Sequence, residues 1–142
     1  MTEKQPAPER GWVNTFTHLA DIGTTSEKST EIDLSSHVPD WAREVLLSAT
    51  MFVKGTGTAG TVLLQEGNLY FWTQITRETG QVADASYQSR FGSVGGQATS
   101  VSLSGWCPVN KDHQKAWVEA DLDPSAKTEL LGGVIYLMGY RD

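Results

Sequence analysis

The residues with chemistry to offer in this 142-residue chain are few and scattered. Gly55, Gly57 and Gly60, in GTGTAG, match the G-x-G-x-x-G spacing of a dinucleotide fingerprint. That fingerprint works only when its glycines open a helix whose N-terminus faces a pyrophosphate. Here Thr61, Val62, Leu63 and Leu64 follow, a run that reads as a strand, so the segment is expected to be a turn. His18, His37 and His113 stand outside any metal-ligand spacing. Serines are plentiful but no G-x-S-x-G elbow is present, so a hydrolase would need a triad assembled by the fold alone.

Glu119, Asp121 and Asp123, with Asp112 nearby, offer oxygen ligands for calcium. They lack the D-x-[DN]-x-[DN]-G loop pattern and read better as a solvated strand end. Glu119 and Asp121 are two apart on a strand and share a face, a weak arrangement for a glycosidase pair. Cys107 is the only cysteine, so no internal disulfide forms. Its neighbours Trp106 and Pro108 bring no cation to activate the thiol, and it is expected to be a small buried filler. No cofactor, metal or catalytic residue is assigned.

Aromatic residues carry the strongest surface signal. The chain holds five tryptophans, and Tyr70, Trp72 and Trp117 fall on strand faces that are otherwise polar. Three placements are open for them: core beneath the first strand or a loop, a subunit interface, or a platform that stacks on sugar rings.

The elements that must position these residues are nearly all strands. From Val45 to Val53 every second residue is apolar, which puts one strand face on a core. Its lead-in is a short strand over 28–34, a turn at Pro39 and Asp40, and one helical turn expected around 41–43. Further strands are expected over 12–19, 61–66, 69–77, 87–91, 98–107, 115–122 and 134–140. Gly67-Asn68 reads as a two-residue hairpin turn, with further turns at 55–60, 78–85, 92–96, 110–113 and 123–128. In the arm after Asn68, Leu69, Phe71 and Ile75 share one face and Tyr70, Trp72 and Gln74 the other. The last strand is apolar almost throughout, which predicts cover on both faces. Seven to nine short strands without a long amphipathic helix predict an all-β antiparallel sandwich, jelly-roll-like, with a closed barrel as the alternative.

The organisation expected is a polar arm over 1–11, with Pro6 and Pro8, followed by one β-sandwich domain over 12–142. Eleven basic against 17 acidic residues give a net charge of −6, which disfavours nucleic acid and anionic membranes as partners. No apolar run reaches the ~18 residues of a membrane-spanning helix. The opening TEKQPAPER has no apolar core of a signal peptide, so synthesis in a reducing cytoplasm is expected.

Two stretches carry a family resemblance. Ile32-Asp33-Leu34-Ser35, Val38-Pro39 and the apolar 42–47, with the closing VIYLMGY over 134–140, resemble small β-sandwich proteins of tailed-bacteriophage virions. The resemblance implies a non-enzymatic structural protein, either capsid decoration (cement) or a tail-fibre domain, assembling as a homotrimer through protein–protein contacts. The short chain with only an N-terminal arm favours an accessory capsid-surface or tail-associated protein over a fibre. A glycan-binding module for host attachment, stacking sugars on Tyr70, Trp72 and Trp117, is the alternative.

Overall fold

The structure is a computed structural model that describes residues 12–75 and 85–142. The expected arm over 1–11 and nearly all of the turn over 78–85 lie outside the described residues. Eight strands follow in order: β1 (Val13–Ile22), β2 (Thr30–Asp33), β3 (Glu44–Gly55), β4 (Val62–Thr73), β5 (Ala85–Val94), β6 (Ala98–Pro108), β7 (Lys115–Leu122) and β8 (Thr128–Arg141). They form two four-stranded sheets, β1-β8-β3-β6 and β2-β7-β4-β5, and every named strand pairing is antiparallel.

The pairing has a simple generator. β4 pairs with β5, β3 with β6, β2 with β7 and β1 with β8. The chain thus folds back on itself between β4 and β5, and the resulting double ribbon wraps round a core. Closure comes from β3 pairing with β8 and β4 with β7. That is the jelly-roll form of the antiparallel sandwich.

The core lies between the sheets and draws on period-two faces. Val45, Leu47, Ala49, Met51 and Val53 of β3 meet Ile135 and Leu137 of β8 and Leu69 and Phe71 of β4 in one buried cluster. Each fully buried Leu, Val, Met or Phe stabilises such a core by roughly 1.5–3 kcal/mol. Cys107 sits in this cluster, and burial pushes its thiol up to about 12, as an inert filler requires. Tyr87 of β5 crosses to the other sheet, where its hydroxyl donates to the Trp106 carbonyl at 2.6 Å. A Cβ on Gly105 would come within 2.4 Å of that ring, so glycine leaves the space Tyr87 fills.

The corner between β2 and β3 buries Leu34, Val38 and Ala42. The N–H groups of His37 and Val38 donate to the Leu34 carbonyl at 2.9 and 3.1 Å, and Ala42 N–H donates to Pro39 O at 3.1 Å. These are turns; the helical turn expected at 41–43 does not form. Arg43 N–H then donates to Arg141 O, tying the corner to the end of β8.

Three other expectations change. Gly67-Asn68 is no hairpin turn: both residues lie inside the long β4, which joins the two strands expected there and ends at Thr73, while positions 76–77 of the second lie outside the described residues. Gly67 is glycine because a Cβ would lie 2.3 Å from the Asp121 carbonyl oxygen on β7, so strand packing excludes a side chain. The turn expected over 92–96 moves to its far end, since β5 runs to Val94. β8 is covered on one face only: Val134, Tyr136 and Met138 are half-buried on the outside. Its apolar character reflects an interior strand whose outer row belongs to a surface aromatic cluster. The turn expected at 55–60 does form, with its glycines spent on backbone geometry. Gly60 has φ of +81°, and a Cβ on Gly55 would meet Val94 O at 2.3 Å. The dinucleotide spacing there is a coincidence of turn chemistry.

Candidate functional site

The outer face of the second sheet collects the aromatic candidates. Alternation along β4 sends Leu69, Phe71 and Thr73 inward and Tyr70 and Trp72 outward; along β7 it sends Trp117, Glu119 and Asp121 outward. The register places Trp72 directly across from Trp117, and Tyr70 across from Glu119. The three rings form a near-parallel row. Tyr70 and Trp72 centroids are 5.4 Å apart at 22°, and Trp72 and Trp117 are 6.1 Å apart at 11°. Trp72 is the middle ring, touching both others. All three are half-buried, so they are neither core nor fully free.

The carboxylates expected at a strand end are tied into this row. Tyr70 Oη donates to Glu119 and also to Asp121 Oδ2, at 2.7 Å. Burial and the neighbouring Asp121 raise the Glu119 carboxyl above its ordinary range, against the lowering effect of the Tyr70 bond. Burial, followed by the two carboxylates, raises the Tyr70 phenol. Asp123 instead pairs with Arg90 at 2.6 Å. Asp112 lies in the β6–β7 connection, at the opposite end of the sandwich. The four carboxylates therefore do not converge, and no group of three or more metal-binding side chains occurs among the described residues. The histidines stay apart too: His18 bonds Asp21 at 2.8 Å, His113 bonds Asn110 at 3.1 Å, and His37 is an exposed corner residue.

The row runs into a cleft at the end of the sheet. Next after β4 on the outward side comes Gln74, and next on β7 before Trp117 comes Lys115, which pairs with Asp33 of β2. These line a cleft of about 450 Å³ with Trp117, Gln114, His113 and the charged residues Lys111 and Asp112. Gln74 is only 3% exposed, and its Oε1 accepts no hydrogen bond. Asp33 accepts the Ser35 N–H at 2.9 Å, and this bond holds its carboxyl below the usual range. Alternation along the chain already put Gln74 on the Trp72 side. The cleft is lined from the start of the β2–β3 corner and from the β6–β7 connection, which local spacing does not report.

The outer face of the first sheet carries a second aromatic set that the sequence reading did not single out. Phe16 stacks on Tyr136 at 4.6 Å, with His18 edge-on to the same ring at 5.9 Å. Trp12 meets Trp106 edge-on at 5.5 Å, and the Arg141 guanidinium lies 4.0 Å from the centre of the Trp106 ring. Between these clusters and Phe52 the surface is a strip of hydroxyls paired with one another. Ser104 Oγ donates to Ser48 Oγ, and Thr50 Oγ1 bonds Ser102 Oγ, both at 3.0 Å. Phe16 is 69% exposed and Phe52 47%.

No family model and no curated protein matches the chain. Among solved structures it is similar to the coat protein of Tobacco streak virus. The dimer of that protein matches at 14% identity, covering 95% of this chain and 90% of the coat protein, with a TM-score of 0.32. A second crystal form matches at 12% identity, covering 94% and 90%, also with a TM-score of 0.32.

Proposed function

We propose that this protein is a non-enzymatic structural component of a tailed-bacteriophage particle, a capsid-decoration or tail-associated subunit that acts through protein–protein contacts. The observation that carries the reading is the outer face of the first sheet. It combines exposed large apolar side chains, Phe16 and Phe52, with hydroxyls that hydrogen-bond one another in pairs. Burying such a face removes apolar area from water and strands few polar groups, which is what a protein interface needs. The jelly-roll order of the strands supports it, since that architecture recurs in viral capsid proteins. The phage-like stretches over 32–47 and 134–140 form the β2–β3 corner and β8, which Arg43 and Arg141 join. The homotrimer is part of this proposal, with the first-sheet face as its contact.

The test is the mass of the purified protein in solution, followed by binding to purified capsids and tails. Three times the chain mass is expected, with Phe16→Ser shifting the protein to monomer by weakening association roughly 30-fold or more. A wild-type monomer that binds neither capsids nor tails would overturn the proposal.

A glycan-binding module for host attachment is the second reading, favoured by the position of Trp117 at the mouth of a polar cleft.

A further inference from the structure

We infer that the free edge of β6 is a self-pairing site, where the same strand of a second copy adds antiparallel across a twofold axis at Ser102. This contact is separate from the first-face contact and from the glycan reading. The outer strands of the two sheets are β1, β6, β2 and β5. Three of them carry devices that keep exposed edges from joining: bulges, shortness or charge. β1 is irregular at two places against β8 and carries His18 and Asp21. β2 has four residues, two of them Glu31 and Asp33. β5 carries Arg90, and its ladder with β4 is broken between Leu63 and Gly67. β6 has eleven residues, none of them charged, in unbroken register with β3 from Ala98 to Pro108.

The main-chain groups of β6 divide by parity. At its two ends the Gln97 carbonyl accepts from Gly55 N–H and the Val109 N–H donates to Arg43 O, both on the β3 side. The Trp106 carbonyl instead accepts from the Tyr87 hydroxyl. Odd-numbered residues therefore face β3, and Ser100, Ser102 and Ser104 turn their N–H and C=O groups to the open edge. No strand of this chain lies there among the described residues. The Ser102 and Ser104 hydroxyls are engaged by Thr50 and Ser48, so they do not cap that edge.

The sequence commits the edge to a second copy. Ser100-Val101-Ser102-Leu103-Ser104 reads nearly the same in both directions about Ser102. Antiparallel pairing centred there sets Ser102 against its own counterpart, Ser100 against Ser104 and Val101 against Leu103. Hydroxyl meets hydroxyl on the outer face, apolar meets apolar on the inner, and no like charges oppose. The three serine pairs each exchange two main-chain bonds, about six in all. Val101 and Leu103 add an apolar part: they point inward but are only half-buried, because the sheet ends beside them. Pairing stops at Tyr87, which holds the Trp106 carbonyl and fills the space over Gly105. The contact is thus short, self-complementary and weak, suited to copies already crowded on a surface.

The experiment uses full-length Phe16→Ser, which removes the first-face contact. Sedimentation equilibrium over roughly 0.02–2 mM should show monomer when dilute and twice the chain mass when concentrated, as a small interface predicts. Amide exchange by NMR should slow with concentration at Ser100, Ser102 and Ser104 and stay constant at Val101 and Leu103. Adding Ser102→Lys or Ser102→Glu puts like charges face to face on the axis and should weaken pairing roughly fivefold or more. An equal mixture of the two should restore it. A mass that stays at one chain throughout overturns the inference. So does doubling with the three serine amides still exchanging freely, which puts the contact elsewhere, or full pairing by each charged variant alone. A wild-type protein that is monomeric when dilute and doubles with those amides protected removes the first-face trimer and upholds the β6 edge.

Discussion

On the outer face of the first sheet the polar groups find one another: Ser48 with Ser104, Thr50 with Ser102, leaving Phe16, Phe52 and the Trp12–Trp106 pair as the exposed character. On the outer face of the second sheet the polar groups outnumber their partners. Tyr70 serves two carboxylates, Asp121 Oδ1 is buried without a bond, and Gln74 Oε1 is the same. Both faces carry aromatic rows, so aromatic content does not separate them. The state of their hydrogen bonds does. A face whose hydroxyls bond one another can be covered at lower cost than a face that carries a pair of carboxylates, which covering would desolvate. The assembly proposed for this protein uses the first face, and the alternative glycan reading would use the second.

Breaking the second face should have the largest effect. Gly67→Ala puts a Cβ where β4 and β7 touch, 2.3 Å from the Asp121 carbonyl oxygen and 2.6 Å from the Phe91 ring. Backbone must move, and a loss of about 3 kcal/mol is expected in urea unfolding. The displacement lies at the base of the Tyr70–Asp121 bond, so ring-row fluorescence should change with it. The first-face contacts reported by the mass in solution should not.

A sharper probe of the same face is its pH response. The Glu119 carboxyl is raised in the native state by burial and by Asp121, so its ionised form is the disfavoured one there. The contribution to stability is complete below the ordinary glutamate pKa and is lost as pH rises through the raised native value. Wild-type melting temperature should therefore fall as pH rises across the weakly acid range, through this group. Glu119→Gln keeps an acceptor for Tyr70 and a donor for Asp121, and should flatten that fall and raise the melting temperature at neutral pH. A slope unchanged in Glu119→Gln would place the unfavourable charge elsewhere.

The smallest effect belongs to the first face. Thr50→Ala alone strands the Ser102 hydroxyl and should cost about 1 kcal/mol in the assembled protein. Thr50→Ala with Ser102→Ala removes both partners and should cost less than either single change, measured as a double-mutant cycle on assembly. Equal, additive losses would mean the strip stays in water, where each hydroxyl finds a new partner.

The all-β class, the inward face of β3, the extent of β7 and the inert cysteine follow from the sequence alone, because alternation is local: successive side chains on a strand point to opposite faces. Gln74 could be placed on the Trp72 side by the same count. The tertiary structure decided the rest. Only strand pairing showed that Gly67 is squeezed by β7, that the carboxylates at 112, 119, 121 and 123 divide between opposite ends and different partners, and that Trp117 stands at a cleft rather than in an open platform. Those facts depend on contacts between residues dozens of positions apart, and a period of two records which way a side chain points but not what it meets there.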